Sequence, residues 1–62
     1  AKWYFRAARE GSASAMCRLG LMYREGLGLG QDDEAAAGWF LEAAEQGDTD
    51  AKKELELLGS EA

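Results

Sequence analysis

The chain has 62 residues, a formal net charge of −5, a single cysteine and no histidine or proline. At this length it forms at most one small domain, and folding buries only roughly 60% of the surface that the unfolded chain exposes. One cysteine excludes an internal disulfide, and no apolar run reaches the roughly 18 residues that membrane insertion as a helix requires. The acidic total argues against nucleic acid and anionic membranes as partners, because both attract clustered lysine and arginine.

Apolar residues recur at helical spacing in four segments, which predicts an all-α fold with helices over roughly 2–10, 13–24, 33–46 and 49–58. The first segment carries three aromatic residues before an alanine pair. The second has a stripe at Met16, Leu19, Gly20 and Tyr23. The stripe of the third, at i, i+3, i+4, i+7 and i+8, consists of Ala36, Trp39, Phe40, Ala43 and Ala44.

The predicted helix ends carry suitable residues. Ser12, Asp32 and Asp48 are placed as N-caps, whose side-chain oxygens accept hydrogen bonds from otherwise unpaired amide groups. Gly11 and Gly47 follow the first and third helices, where glycine takes the left-handed conformation without strain. Because a cap residue comes directly after each of these glycines, the chain must reverse at once, and successive helices are predicted to be antiparallel neighbours.

The sequence repeats itself after thirty-six residues. Residues 1–11 align with residues 37–47, and the identities fall on alanine, tryptophan, glycine and leucine, the residue types that determine packing and turns. The aligned pairs include Trp3 with Trp39, Gly11 with Gly47, Ala15 with Ala51, Leu19 with Leu55, and Leu21 with Leu57. This pattern predicts a tandem-repeat fold in which each unit is a pair of helices.

Small and large residues together predict close helix packing. The residues expected to interlock are Ala7, Ala8, Gly20, Ala43 and Ala44, with Trp3 and Trp39 filling the space beside them. Two other apolar residues, Phe5 and Leu41, lie off the main stripe and are expected to be exposed.

The fourth helix differs from the second at the positions that would meet a following helix. It has Lys52, Glu56 and Gly59 where the second helix has Met16, Gly20 and Tyr23. Its other stripe, formed by Ala51, Leu55 and Leu58, stays apolar and can pack on the third helix. One apolar and one solvated face are typical of a terminal capping helix, so the array is expected to end here. The first helix keeps its aromatic residues, which predicts a neighbour at the amino-terminal end.

A run of regularly spaced residues resembles the Sel1-like repeat, a relative of the tetratricopeptide repeat with a longer, glycine-containing loop between its helices. The run consists of Leu19, Gly20, Tyr23, Gly26, Gly28, Asp32, Ala36, Trp39, Ala43, Ala44 and Gly47. The tetratricopeptide repeat itself has a period of about 34 residues and lacks this loop.

The resemblance covers essentially the whole chain. It implies an α-α superhelix, a solenoid of antiparallel helix pairs, and a role as a protein–protein adaptor without catalysis. Within residues 1–62, residues 1–11 would be the second helix of a preceding repeat, residues 12–47 one complete repeat, and residues 48–62 a C-terminal capping helix.

Residue types that often carry chemistry are present, but not in the patterns that chemistry requires. The glycine run at 26–30 lacks the preceding strand and the lysine of a phosphate-binding loop. Cys17 has no histidine to activate it. Asp32, Asp33 and Glu34 point in different directions around a helix start, which suits capping better than metal binding. No catalytic, cofactor-binding or metal-binding residues are predicted, and the chain is not predicted to be an enzyme.

The predicted binding surface is the concave side, which the first helix of each repeat lines. Its residues are Ser14, Cys17, Arg18 and Leu21 of the second helix, with Asp50, Lys53, Glu54 and Leu57 of the fourth. The functional hypothesis is a scaffold module that binds a protein or peptide on this strip, and the alternative is that these side chains are only solvated.

A hypothesis of another class is structural self-assembly through the first helix. Residues 1–31 carry five basic and two acidic side chains, and residues 32–62 carry two basic and ten acidic ones. Copies could therefore stack head to tail, with the positive half of one against the negative half of the next. The identity of the partner and the cellular compartment are not indicated by these residues.

Overall fold

The computed structural model describes residues 2–61, with side chains for residues 2–59; Ala1 and Ala62, which the predicted domain limits include, lie outside this range. The described chain folds into α1 (Lys2–Arg9), α2 (Ala13–Glu25), α3 (Asp33–Glu45) and α4 (Thr49–Glu61). Each helix packs against the next one along the chain. The predicted all-α fold is confirmed, as are the helix bounds to within one residue, except that α4 continues past the predicted residue 58.

Side-chain caps begin three of the helices, as predicted. The Ser12 hydroxyl accepts from the amide of Ala15 at 3.2 Å, and an Asp48 carboxylate oxygen accepts from the amide of Ala51 at 3.0 Å. The Asp32 carboxylate accepts two amide hydrogen bonds, at 3.0 and 3.1 Å. Since the first amides of a helix have no partner within the helix, these caps determine where α2, α3 and α4 begin.

Tight reversals join α1 to α2 and α3 to α4. Gly11 and Gly47 have φ values of 97° and 99°, in the left-handed region that glycine tolerates best. Between α2 and α3 the chain forms a longer loop, in which the Asp32 amide donates to the Tyr23 carbonyl oxygen at 2.9 Å. Leu29 of this loop is half-buried against the core, so the loop is packed onto the helices.

The core lies between α2 and α3. Leu19 and Phe40 have no exposed surface, and they are surrounded by buried alanines from all four helices, Ala8, Ala15, Ala36, Ala43 and Ala51, together with Met16 and Cys17. A Cβ atom added to Gly20 would lie only 2.6 Å from the Phe40 ring. The missing side chain of Gly20 therefore makes room for the Phe40 ring. The sequence had suggested that Gly20 lies opposite the alanine pairs instead.

The burial of two aromatic residues of α1 is the reverse of what the sequence predicted. Trp3, expected in the core, is 70% exposed, because within the described chain α1 packs on α2 and no helix covers the face that carries Trp3. Phe5, expected at the surface, is half-buried with its ring centroid 6.0 Å from that of Trp39 and 6.4 Å from that of Tyr23. Both predictions were wrong for the same reason, since the stripe of a short helix does not say which side receives a neighbour.

The predicted faces of α4 are confirmed. Ala51 is fully buried, and Leu55 and Leu58 pack against the core. The predicted solvated positions Lys52, Glu56 and Gly59 are exposed, and Leu41 of α3 is 50% exposed, as expected. No helix in residues 2–61 combines the length and the hydropathy that crossing a bilayer would take.

A candidate peptide-binding groove between α2 and α4

A cavity of about 340 Å³ lies between α2 and α4. It is lined by Ser14, Cys17, Arg18 and Leu21 of α2, and by Asp48, Asp50, Lys53 and Glu54 at the start of α4. After the side of the repeat on which the sequence predicts binding, we call this cavity, together with Leu57 one turn beyond Lys53, the concave groove.

Helical periodicity places these side chains together. In α2, Ser14, Arg18 and Leu21 are separated by four and three residues, so they lie on one face. In α4, Asp50 and Glu54 are separated by one turn in the same way. Because α4 repeats α2 after thirty-six residues, the two faces point to the same side of the molecule.

The groove has a buried inner wall and an exposed rim. Cys17 is only 9% exposed and forms part of the inner wall. Ser14, Arg18, Asp50 and Lys53 are exposed, whereas Leu21, Asp48 and Glu54 are half-buried. A ligand in the groove would therefore meet hydroxyl, carboxylate and cationic groups around a partly apolar interior.

An ion pair and a cap hold two of the carboxylates in place. Glu54 pairs with Arg24, with both side chains about one quarter exposed, and this contact ties α4 to α2. Asp48 is held by its hydrogen bond to the Ala51 amide. The groove is thus bounded by groups that the fold itself positions.

The inner wall of the groove lies in a negative electrostatic environment. Burial raises the pKa of the Cys17 thiol above its usual range, and Asp48, Asp50 and Glu54 raise this pKa further. Arg18 acts in the opposite direction without cancelling the effect. A raised pKa keeps the thiol protonated, so Cys17 is the reverse of an activated nucleophile.

The structure brings together most of the residues that the sequence placed on one strip. Ser14, Cys17, Arg18, Leu21, Lys53 and Glu54, with Asp50, all line the cavity. Leu57 is not part of the lining but is 50% exposed, one turn beyond Lys53. The sequence did not predict Asp48 as a groove residue. Its role as the N-cap of α4 already explained its presence, and no pattern indicated that it also lines the groove.

A second concave surface lies on α1. It encloses about 720 Å³ and is lined by Lys2, Trp3, Phe5, Arg6 and Arg9. The exposed Trp3 ring packs edge-on against Tyr4, with centroids 5.2 Å apart. This surface is basic and aromatic, unlike the concave groove.

Stacked helix pairs, a thirty-six-residue repeat and a packed glycine-containing loop define a helical-repeat protein. Comparison with known families agrees, because the Sel1 repeat matches residues 1–12 and 13–48. The chain belongs to the Sel1 repeat family. Sel1 repeats are generally protein–protein interaction modules, and proteins built from them are typically non-catalytic.

Two curated proteins illustrate the relationship. The chain is 41% identical over 54 residues to chitin synthase regulatory factor 3 of Schizosaccharomyces pombe, covering 87% of this chain and 6% of that protein. It is 43% identical over 53 residues to the ERAD-associated E3 ubiquitin-protein ligase component HRD3A of Arabidopsis thaliana, covering 84% of this chain and 7% of that protein. The chain thus spans only a small part of the length of either relative. No solved structure matches it significantly.

Proposed function

We propose that the chain is an adaptor module that binds a segment of another protein in the concave groove. The observation that carries this proposal is that residues predicted as one strip, from two helices thirty-six residues apart, line one cavity. The groove offers hydrogen-bonding groups beside apolar surface, the combination that peptide recognition uses. The names of the two relatives, a regulatory factor and a ligase component, agree with a role in regulation or assembly.

An enzymatic role is not part of the proposal. Catalysis by Cys17 would need a thiolate, and the burial of this thiol, together with its acidic surroundings, raises its pKa and disfavours one.

Filling the groove tests the binding proposal. Random peptides displayed on phage are selected against the chain and then offered to Ser14→Phe with Leu57→Asp. Both positions are exposed, so this variant should fold while its groove is filled and its apolar edge made polar. We expect the affinity of the selected peptides for this variant to fall by about tenfold or more, which corresponds to roughly 1.4 kcal/mol of binding free energy.

A matched variant controls for general surface effects. Gln46→Phe with Leu41→Asp introduces the same two side chains, phenylalanine and aspartate, at exposed positions that do not line the groove. Circular dichroism establishes that both variants are helical. Equal binding to the filled and the control variant, or the absence of any enriched peptide, would contradict the proposed function.

We also propose that residues 12–47 form one complete repeat and that α4 is a capping helix, with residues 1–11 completing an earlier repeat. The contact between Gly20 and Phe40 supports the capping role, because Glu56 occupies in α4 the position that Gly20 occupies in α2. A side chain at this position blocks the aromatic ring that a further repeat would insert.

A second candidate function is head-to-tail self-association through α1. It is favoured by Trp3, which is 70% exposed beside three basic residues, and by the acidic carboxy-terminal half. It is opposed by Glu56, for the reason just given. A molecular mass that stays monomeric at high concentration and low salt would remove this candidate.

A further inference from the structure

The charged groups around the concave groove differ in how tightly they are held. Arg18 and Lys53 are exposed and stand on long stems, which can turn their charges into solvent. Asp48 is fixed by its capping hydrogen bond, and Asp50 has only a short side chain. The charge of Glu54 is offset by Arg24, its partner in an ion pair, so it adds little to this balance. The fixed charge close to the inner wall is therefore negative.

The environment of Cys17 agrees with this assignment. Three carboxylates raise the pKa of the thiol, and the one arginine that opposes them does not reverse the direction. The amino terminus of α4 could in principle attract an anion, but Asp48 and Asp50 already lie there and offset the positive end of the helix dipole. An anionic ligand group would thus meet repulsion at the inner wall.

The apolar part of the groove lies at a defined distance from this acidic part. Leu57, 50% exposed, follows Asp50 by seven residues, which is about 10 Å along a helix. An extended peptide advances about 3.4 Å per residue, so three positions of peptide cover the same distance. Leu21, the equivalent of Leu57 one repeat earlier, is half-buried on the corresponding face of α2.

Resting on the proposed function, we infer that the groove recognises a peptide segment carrying a lysine or arginine and, three positions away, an apolar side chain. The cationic group lies against Asp48 and Asp50, with its methylene stem along the inner wall at Cys17. The apolar side chain covers Leu57. The partner is thus a basic and apolar segment of a protein.

The test uses peptides selected from the displayed random library against the chain itself, and compares two variants of equal charge. Asp50→Asn removes a carboxylate from the groove. Asp33→Asn removes one from the first turn of α3, so it matches Asp50→Asn in the change of charge and in lying in the first turn of a helix. Any attraction that depends only on the net acidity of the chain responds equally to the two variants.

We expect the enriched peptides to share a basic residue and an apolar residue three positions apart. By fluorescence anisotropy, replacing the basic residue with norleucine keeps the apolar stem and should raise the Kd about tenfold, as loss of a charge-assisted hydrogen bond of roughly 1.4 kcal/mol does. Asp50→Asn should weaken binding of the parent peptide to a similar extent. It should change the affinity for the norleucine peptide only a little. Asp33→Asn should leave both affinities almost unchanged.

The possible failures are distinguishable. If the enriched peptides lose binding to Ser14→Phe with Leu57→Asp but carry no shared basic residue, or carry acidic residues instead, the inference is wrong and the proposed function stands. If Asp33→Asn weakens basic peptides as much as Asp50→Asn does, the attraction is general and the inference is again wrong. If the filled groove binds the peptides unchanged, the proposed function itself fails.

Discussion

At the scale of single residues, the fold depends most visibly on Gly20. Its Cα lies against the ring of Phe40, a side chain with no exposed surface. Glycine inside a helix costs stability relative to alanine, so its presence here needs a packing reason, and the missing Cβ supplies one. The sequence indicated that Gly20 lay on the core stripe, but not which side chain it admits.

Replacing Gly20 by alanine should therefore destabilise the chain. The added Cβ would meet three atoms of the Phe40 ring at 2.6–2.9 Å, and a fully buried ring has little room to move. Overpacking of this kind costs roughly 1–3 kcal/mol, and the better helix propensity of alanine offsets about 1 kcal/mol. We expect the free energy of unfolding, measured in urea, to fall by up to about 2 kcal/mol.

Gly38 provides the matched control. It is also inside a helix, but it is exposed and a Cβ there would have no neighbour within 4 Å. Gly38→Ala should raise the free energy of unfolding by about 1 kcal/mol through helix propensity alone. Stabilisation of the same size by both substitutions would show that the contact with Phe40 is not tight.

Trp3 and Phe5 show what residue patterns leave undetermined. Both residues are apolar and lie two residues apart on α1, so the sequence places them on opposite faces of this helix. Which face is covered depends on α3, because the ring of Trp39, thirty-four residues after Phe5, meets the ring of Phe5. Contacts between helices that are distant in the chain are set by the geometry of stacking, and the periodicity of one short helix does not contain that information.

At the scale of the helices, caps explain why the boundaries could be predicted so closely. Ser12, Asp32 and Asp48 each satisfy amide groups at a helix start, and Gly11 and Gly47 allow the reversal that follows α1 and α3. The end of α4 had no comparable signal: Gly59 is helical in the structure and is followed by no residue that stops a helix. The error there follows from that missing signal.

The start of α3 allows capping to be separated from charge. Asp32 accepts hydrogen bonds from the amides of Glu34 and Ala35, whereas the adjacent Asp33 is a first-turn acid that interacts with the helix dipole. Asp32→Ala should lower the free energy of unfolding by about 1 kcal/mol. Asp33→Ala should change it by less than about 0.5 kcal/mol, because a weak dipole interaction is exchanged for better helix propensity.

Urea unfolding of the two variants checks this prediction. Each variant loses one carboxylate, so the change in net charge is the same for both. Equal destabilisation would mean that the negative charge, and not the geometry of the cap, stabilises the start of α3. High salt should diminish any effect that comes from charge alone.

At the scale of the whole molecule, the concave groove could be located from the sequence because the repeat fixes it. An offset of thirty-six residues places Leu57 where α2 has Leu21 and Glu54 where it has Arg18, so one face of α2 predicts one face of α4. The depth of the groove could not be predicted in this way. The depth depends on how closely α4 approaches α2, and no pattern in the sequence indicated the ion pair between Arg24 and Glu54 that links these two helices.

The same offset predicts the association state of the chain. Stacking a second copy beyond α4 in the register of the repeat would bring its Tyr4, the equivalent of Phe40, onto Glu56, the equivalent of Gly20. Since even a Cβ at Gly20 would approach the Phe40 ring to 2.6 Å, Glu56 obstructs this arrangement. We expect the chain to sediment as a 6.7 kDa monomer at low salt, despite the opposite charges of its two halves.

Substitutions at Glu56 distinguish two reasons why the chain would stay monomeric, namely the bulk of the side chain in the register of the repeat and its negative charge. Glu56→Gly opens the position and should allow concentration-dependent association, which salt weakens because basic α1 meets an acidic surface. Glu56→Ala removes the same charge but keeps the Cβ, so it should remain monomeric. If the wild-type chain already associates at low salt, or if the alanine and glycine variants associate equally, then the contact does not follow the register of the repeat and α4 does not cap the array in the way inferred from Gly20.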